Sequence, residues 1–154
     1  MCQCSVVVAQ YNPIWDKVRC TLDSILSQKD CEYEVIITDD GSECTHFDKI
    51  KTYFEERNYE NYHLVANKVN GGTVNNIISG IKASTGRYVR VIAPGDMLYE
   101  DTTLYKIVGF MDENNAKVMF GKMAYFEETD GEIEIVPKQV PIDFRPYRKK
   151  NVNS

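Results

Sequence analysis

Long hydrophobic runs are missing from this 154-residue sequence. The longest near its start, Val6 to Ala9, falls far short of the roughly 20 apolar residues that a membrane-spanning helix needs. Met1-Cys2-Gln3-Cys4 offers neither a basic stretch nor an apolar core, so no signal peptide is expected there. Nine glycines and five prolines are too few for a collagen-like or low-complexity chain. The five cysteines (Cys2, Cys4, Cys20, Cys31, Cys44) are odd in number, form no CxxC pair and have no histidine partners at zinc-finger spacing. They are read as reduced thiols of a cytoplasmic protein. Histidine is scarce too: His46 and His63 stand apart, read as a surface residue and a strand end, so no Cys–His or Ser–His–Asp nucleophile is expected. Positive charge is short, with 18 Lys and Arg against 23 Asp and Glu and a net charge of −5. That balance argues against nucleic acid as the main partner, because such binding rests on neutralising phosphates. Neither a GxGxxG fingerprint nor a P-loop occurs.

What remains is an ordinary globular composition, 43% hydrophobic and 27% charged, at a length suited to one domain. Ser5 to Gln10 is a short β-branched run closed by the turn signal Tyr11-Asn12-Pro13, which predicts a buried strand. Ile14, Val18, Leu22, Ile25 and Leu26 then recur at helical spacing. Tyr33 to Thr38 predicts a second strand, ending in Asp39-Asp40-Gly41-Ser42. Phe47, Ile50 and Phe54 mark the next helix, with Thr45 as its N-cap and Asp48 three residues on. Tyr62 to Ala66, the loop 67–72 and the stripe Val74, Ile77, Ile78, Ile81 make a third unit. Arg87 to Ile92, the break Ala93-Pro94-Gly95-Asp96 and the stripe Leu104, Ile107, Val108, Met111 make a fourth. All the stripes are read as core. Four strand–loop–helix units predict an α/β fold, a mostly parallel sheet with helices on both faces. Lys117 to Phe126 and Glu132 to Val136, joined by Thr129-Asp130-Gly131, predict a C-terminal β-hairpin. Residues 1–136 are thus read as the domain, and 137–154, with Arg145, Arg148, Lys149 and Lys150, as an irregular tail whose basic cluster is solvated.

In such a sheet, ligands bind beyond the carboxyl ends of the strands. The residues there are unusually polar: Gln10-Tyr11-Asn12, Asp39-Asp40-Gly41-Ser42, Asn70-Gly71-Gly72 and Pro94-Gly95-Asp96. A ring for stacking, acceptors for base and ribose, and a carboxylate for a divalent metal make a nucleotide-shaped set. Each has a plainer reading. Asp-Asp-Gly-Ser is a common turn, Gly71-Gly72-Thr73 a tight turn with an N-cap, Asp96 a helix cap, and Tyr11 one of ten tyrosines.

The order of the motifs is more specific than any one of them. Ser5-Val-Val-Val-Ala-Gln-Tyr-Asn12, Leu22-Asp-Ser-Ile-Leu-Ser-Gln28, Glu34-Val-Ile-Ile-Thr-Asp-Asp-Gly-Ser42, Asn70-Gly-Gly-Thr-Val-Asn-Asn76 and Ala83-Ser-Thr-Gly-Arg-Tyr-Val89 resemble the family-2 inverting glycosyltransferases, from about residue 4 to residue 126. The resemblance implies a Rossmann-like GT-A fold and transfer of a sugar from a nucleotide-diphosphosugar, such as a UDP-sugar, to a saccharide or other hydroxyl acceptor. Carried onto this sequence, it makes Tyr11 the ring against the uracil and Asp39 the acceptor of a base N–H. Asp40 orients that loop or the ribose, and Gln10, Asn12, Gly72 and Asn76 complete the nucleotide site.

Two departures stand out. The family's Arg-Asn pair is here Asn75-Asn76, leaving Lys68 as the replacement cation, and of the family's Asp-x-Asp-Asp metal motif only Asp96 survives in Ala93-Pro94-Gly95-Asp96. Asp96 is therefore the expected ligand of Mn²⁺ or Mg²⁺. An inverting transferase also needs a carboxylate base. Glu127, Glu128, Asp130, Glu132, Glu134 and Asp143 lack the family context for it, so the base is expected beyond residue 154 and the chain is read as the donor-binding half of a longer enzyme. The resemblance implies a cytoplasmic setting, at the inner face of the membrane in the full-length protein, and polysaccharide biosynthesis. A non-catalytic nucleotide-sugar-binding module and a flavodoxin-like binding fold are the alternatives.

Overall fold

The computed structural model describes residues 3–129 and 132–140. They fall into two compact units, residues 1–116 and 117–154. In the first, β1 (Cys4–Gln10), α1 (Trp15–Leu26), β2 (Tyr33–Asp39), α2 (Phe47–Glu55), β3 (Tyr62–Ala66), α3 (Thr73–Ala83), β4 (Tyr88–Ile92) and α4 (Thr103–Glu113) alternate as the sequence predicts. The strands form one parallel sheet in the order β3-β2-β1-β4. β1 and β2 are central and covered on both faces, which is why they read as unbroken β-branched runs.

Alternation along the strands separates two faces. Val6, Val8, Val35, Ile37 and Ile92 join Val18, Leu22 and Ile25 of α1, Ile50 and Phe54 of α2, and Leu104 and Val108 of α4 in one apolar cluster. The other face is covered by α3, which packs along β1, β2 and β3. α3 approaches closely because Gly80 faces the sheet, where a Cβ would lie 2.4 Å from Val7 Cγ1.

The stripe read as the core face of α3 is corrected by this packing. Its buried positions are Asn76 and Gly80, while Val74, Ile78 and Ile81 are 70%, 40% and 47% exposed. The helix turns its small and polar side to the sheet to satisfy Asn76, and of its apolar stripe only Ile77 is half-buried. Ile14 is likewise outside, at the N-cap position of α1. The N-cap of α2 is His46 rather than Thr45, although the Thr45 hydroxyl still accepts the Phe47 N–H at 3.3 Å.

At the amino-terminal edge of the sheet a buried carboxylate ties three segments together. Glu34, 2% exposed, accepts the Ser5 hydroxyl (2.6 Å), the Thr85 N–H and hydroxyl (2.6 and 2.9 Å) and the Gly86 N–H (3.1 Å) on Oε1. His63 Nε2 lies 3.6 Å from Oε2, so this histidine has a partner that the sequence did not suggest. Gly86 is required there, since a Cβ would lie 2.6 Å from the Ser5 nitrogen.

In the second unit, β5 (Met123–Thr129) and β6 (Glu132–Val140) pair antiparallel as the expected hairpin. The first strand begins at Met123 rather than Lys117, and the second runs four residues past Val136. Pro137 has no N–H to give a ladder, and the register shifts there: Tyr125 faces Val136 and Ala124 faces Gln139. Residues 137–140 are therefore strand rather than irregular tail. The linking residues 130 and 131 and the basic cluster Arg145, Arg148, Lys149 and Lys150 lie outside the described residues. Among the described residues no helix is long and apolar enough to cross a membrane.

Burial pushes the Glu34 carboxyl up, but the hydrogen bonds from Ser5, Thr85 and Gly86 together outweigh it and hold its pKa below the usual carboxylate value. A lowered folded pKa stabilises the fold above the unfolded value, and that contribution is lost as pH falls through the folded one. Glu34→Gln keeps an acceptor but removes the charge, so it is expected to cost about 2 kcal/mol at neutral pH and to flatten the acid limb of stability. Urea unfolding across acid to neutral pH checks this; parallel pH profiles for wild type and variant would contradict it.

Candidate functional site

Register sets the geometry of the opposite edge. Gln10 pairs with Asp39, Asp39 with Ala66, and Val8 with Ile92, so the four loops that follow the strands leave the sheet on one side. The sequence-predicted residues on those loops are thereby placed along a single edge.

The loops after β1 and β2 are stitched together. Asn12 takes a left-handed conformation (φ 44°), its N–H donates to Ser42 Oγ at 2.7 Å, and its Oδ1 accepts the Glu43 N–H at 3.4 Å. Tyr11 beside it is 52% exposed. Asp39 is fully buried. Its Oδ1 accepts the Ser42 N–H (2.8 Å), and its Oδ2 accepts the Ser42 hydroxyl (2.7 Å) and Gln10 Nε2 (3.1 Å). Gln10 Nε2 also donates to the Thr45 carbonyl at 2.7 Å, leaving Gln10 Oε1 buried with no hydrogen-bond partner among the described residues.

Asp40 turns the other way and is 3% exposed. It accepts the Gly71 N–H (3.0 Å), the Gly72 N–H (2.8 Å) and Asn67 Nδ2 (3.2 Å). The first amides of the α3 approach, which an anion would otherwise use, are thus answered by a protein carboxylate. Asn76 Nδ2 donates to the Gln10 carbonyl at 3.0 Å, and Asn76 Oδ1 accepts Asn67 Nδ2 at 3.3 Å. Asp40, Gly72 and Asn76 therefore hold the site's frame. Gly41 (φ 77°) lets the two loops touch, since a Cβ there would lie 2.8 Å from the Val69 carbonyl carbon. Lys68 is exposed on the adjoining loop and makes no ion pair among the described residues.

Asp96 is exposed in the turn after β4. That turn is fixed by a residue the sequence reading missed. Thr21 of α1, fully buried, donates its hydroxyl to the Asp96 carbonyl (2.8 Å) and accepts the Gly95 N–H (2.9 Å). Further along the same face, Ser24 Oγ accepts the Leu98 N–H (3.1 Å), while Gln28 donates to the Glu100 carbonyl (2.7 Å) and accepts the Leu104 N–H (2.9 Å). The signal was there: Thr21 and Ser24 of α1 and Gln28 just past its end follow one another at helical spacing in an otherwise apolar stripe. No group of three metal-ligating side chains occurs among the described residues. The chain supplies one hard oxygen ligand at this turn, and the set fits a divalent ion whose other ligands are phosphate oxygens and water.

His46 was read as an unpartnered surface residue; instead, its Nδ1 lies 3.4 Å from Cys44 Sγ and its Nε2 3.1 Å from the Pro13 carbonyl oxygen. A left-handed backbone at His46 (φ 56°) brings its ring toward residues two positions and 33 positions away, a fold-back that spacing alone does not reveal. Cys4, Cys20, Cys31 and Cys44 are thiols, with Cys4 buried and Cys44 exposed. A separate open concavity lies between α1 and α2, over Trp15, Arg19, Lys49 and Tyr53.

The sequence model of glycosyl transferase family 2 matches residues 5–154. An uncharacterized glycosyltransferase of Rickettsia bellii (strain RML369-C) is 29% identical over 111 residues, 72% of this chain and 15% of that protein. Among solved structures, S. aureus TarS in complex with UDP is similar with TM-score 0.61 and 26% identity, over 73% of this chain and 33% of that one. The mannosyltransferase PcManGT of Pyrobaculum calidifontis, solved with GDP-Man and Mn²⁺, shares the fold with TM-score 0.65 at 20% identity, over 71% of this chain and 32% of its own. The chain thus spans a third or less of the length of these relatives.

Thr21→Val keeps the shape of the side chain but removes the donor to the Asp96 carbonyl and leaves the Gly95 N–H with the Lys17 carbonyl alone, at 3.1 Å. It is expected to cost about 0.5–1.5 kcal/mol in urea unfolding. An unchanged midpoint would show that the turn carrying Asp96 is held without that hydroxyl.

Proposed function

This chain belongs to glycosyl transferase family 2, and on that premise we propose that its strand-end edge binds the nucleotide of a nucleotide-diphosphosugar, a UDP-sugar by preference, as donor for inverting transfer to a hydroxyl acceptor. The observation that carries the reading is the exposed Tyr11 ring beside two loops already locked to each other through Asn12, Ser42 and Asp39. A base stacking there meets a wall whose entropy cost has been met on folding. The likeness to a relative solved with UDP supports the choice of nucleotide.

The residue roles follow from where each group has capacity left. Tyr11 offers a face. A carboxylate provides about four acceptor positions; Asp39 has filled three of them, leaving one for a base N–H once the 42–45 loop yields. Gln10 and Asn12 hold that wall, and Asp40, Gly72 and Asn76 hold the loop beneath the ribose and phosphates. Lys68 supplies the cation in place of the family's arginine. Asp96 is the ligand for Mn²⁺ or Mg²⁺, and such an ion, when bound, neutralises charge on the departing diphosphate. We assign residues 1–136 to the nucleotide-sugar-binding domain and the general base to sequence beyond residue 154.

Calorimetric titration with UDP, with and without Mn²⁺, tests the assignment. Tyr11→Ala is expected to weaken UDP by about tenfold, the lower end of what base–aromatic stacking contributes. Asp39→Ala should weaken it with or without metal, and Asp96→Ala should remove only the gain due to Mn²⁺. Unchanged affinity in Tyr11→Ala and Asp39→Ala would refute the base site, and a Mn²⁺ gain that survives Asp96→Ala would move the metal elsewhere.

A further inference from the structure

Beside the strand-end loops, one pair of side chains has the geometry of covalent chemistry. Cys44 is exposed in the loop between β2 and α2, with Sγ 3.4 Å from His46 Nδ1. The other ring nitrogen faces the Pro13 carbonyl oxygen at 3.1 Å. A carbonyl has no proton to give, so Nε2 carries the N–H and donates it, and Nδ1 is left as an acceptor toward the thiol. The edge of Trp15 packs against the imidazole at 6.1 Å and 67°, which restrains the ring further. A nucleophile, a base within reach of its proton and a third group that orients the base are the parts that thiol chemistry uses. A thiol that served as a small core hydrophobe would be buried, as Cys4 is.

We propose that Cys44 is a site of reversible thiol modification by low-molecular-weight disulfides, with His46 as its base. His46 Nδ1 takes the thiol proton as Sγ attacks one sulfur of the disulfide. The disulfide's S–S bond breaks, the Cys44–sulfur bond forms, and the departing thiolate recovers the proton from His46. The Cys44 sulfur passes from the thiol to the disulfide oxidation level as the departing sulfur passes from disulfide to thiol, giving a mixed disulfide and one free thiol.

The position gives the reaction a consequence. Cys44 lies between Glu43, whose N–H is bonded to Asn12, and Thr45, whose carbonyl is held by Gln10. An adduct puts bulk on the wall beside Tyr11 and lowers nucleotide affinity. This consequence rests on the reading of the strand ends as a nucleotide site; the thiol chemistry does not.

Limited alkylation with iodoacetamide, quantified peptide by peptide by mass spectrometry, tests the chemistry without nucleotide. Cys44 in the folded wild type is expected to react about tenfold faster than Cys44 in urea, because folding holds His46 where it takes the thiol proton as the sulfur attacks. His46→Asn tolerates the left-handed backbone but cannot take the proton, and should bring the folded rate back to the unfolded one. Equal folded and unfolded rates in wild type overturn the proposal even if the variant fails to fold; so does a folded variant that reacts like wild type. For the consequence, protein treated with oxidised glutathione is titrated with UDP before and after dithiothreitol, with Cys44→Ser treated identically. Affinity should fall at least tenfold, recover on reduction and stay constant in Cys44→Ser. Unchanged affinity overturns the coupling, whereas untreated protein that fails to bind UDP refutes the nucleotide reading and leaves the alkylation result to decide the thiol.

Discussion

Two adjacent buried carboxylates hold the functional edge together. Asp39 ends β2 and Asp40 follows it, and their side chains bond to different loops. Asp39 gathers Ser42 and Gln10, closing the loop after β2 onto the end of β1. Asp40 gathers Gly71, Gly72 and Asn67, closing the approach to α3 onto the end of β2. A buried carboxylate costs far more unpaired than paired, so each enforces the loop conformation that supplies its donors. The polar edge is stable because the charge of Asp39 and Asp40 is spent on the protein's own donors, while the Tyr11 face, Lys68 and Asp96 stay open to solvent.

This division explains why parts of the site were legible in the sequence and parts were not. The strands were plain because β1 and β2 are buried on both faces and their β-branched runs have no competing helical period. The motif Asp-Asp-Gly-Ser marked the right place, but a turn's own hydrogen bonds and a ligand's look alike in sequence, and only burial tells Asp39 and Asp40 from Asp96. The α3 stripe misled because apolar period reports an amphipathic helix without saying which side meets the sheet. Asn76 and Gly80 decided it, through one hydrogen bond to the Gln10 carbonyl and one close approach to Val7. Thr21, Ser24 and Gln28 were passed over because their partners are backbone groups some 75 residues away, which no local pattern announces. His46 was missed for the opposite reason, since its thiol partner is two residues away and one left-handed residue makes the contact.

The two anchoring systems also divide the work of the edge. Asp39, Asp40 and Asn76 fix the loops after β2 and before α3 relative to β1, while the Thr21 face of α1 fixes the turn that carries Asp96. Because the two networks share no hydrogen-bonding residue, a metal ion at Asp96 and a base at Tyr11 would be positioned separately, so damage to one should leave the other measurable. That independence fits a donor site assembled on a parallel sheet, with family identity resting on residues 5–154 and fold on the likeness to solved transferases.

The most direct test of the central claim is a UDP titration followed residue by residue through backbone amide shifts. The account predicts saturable shifts confined to residues 10–12, 39–45, 67–72 and, once Mg²⁺ is added, 93–96. Shifts centred on the α1–α2 concavity around Trp15 and Tyr53, or none at millimolar UDP, would contradict it.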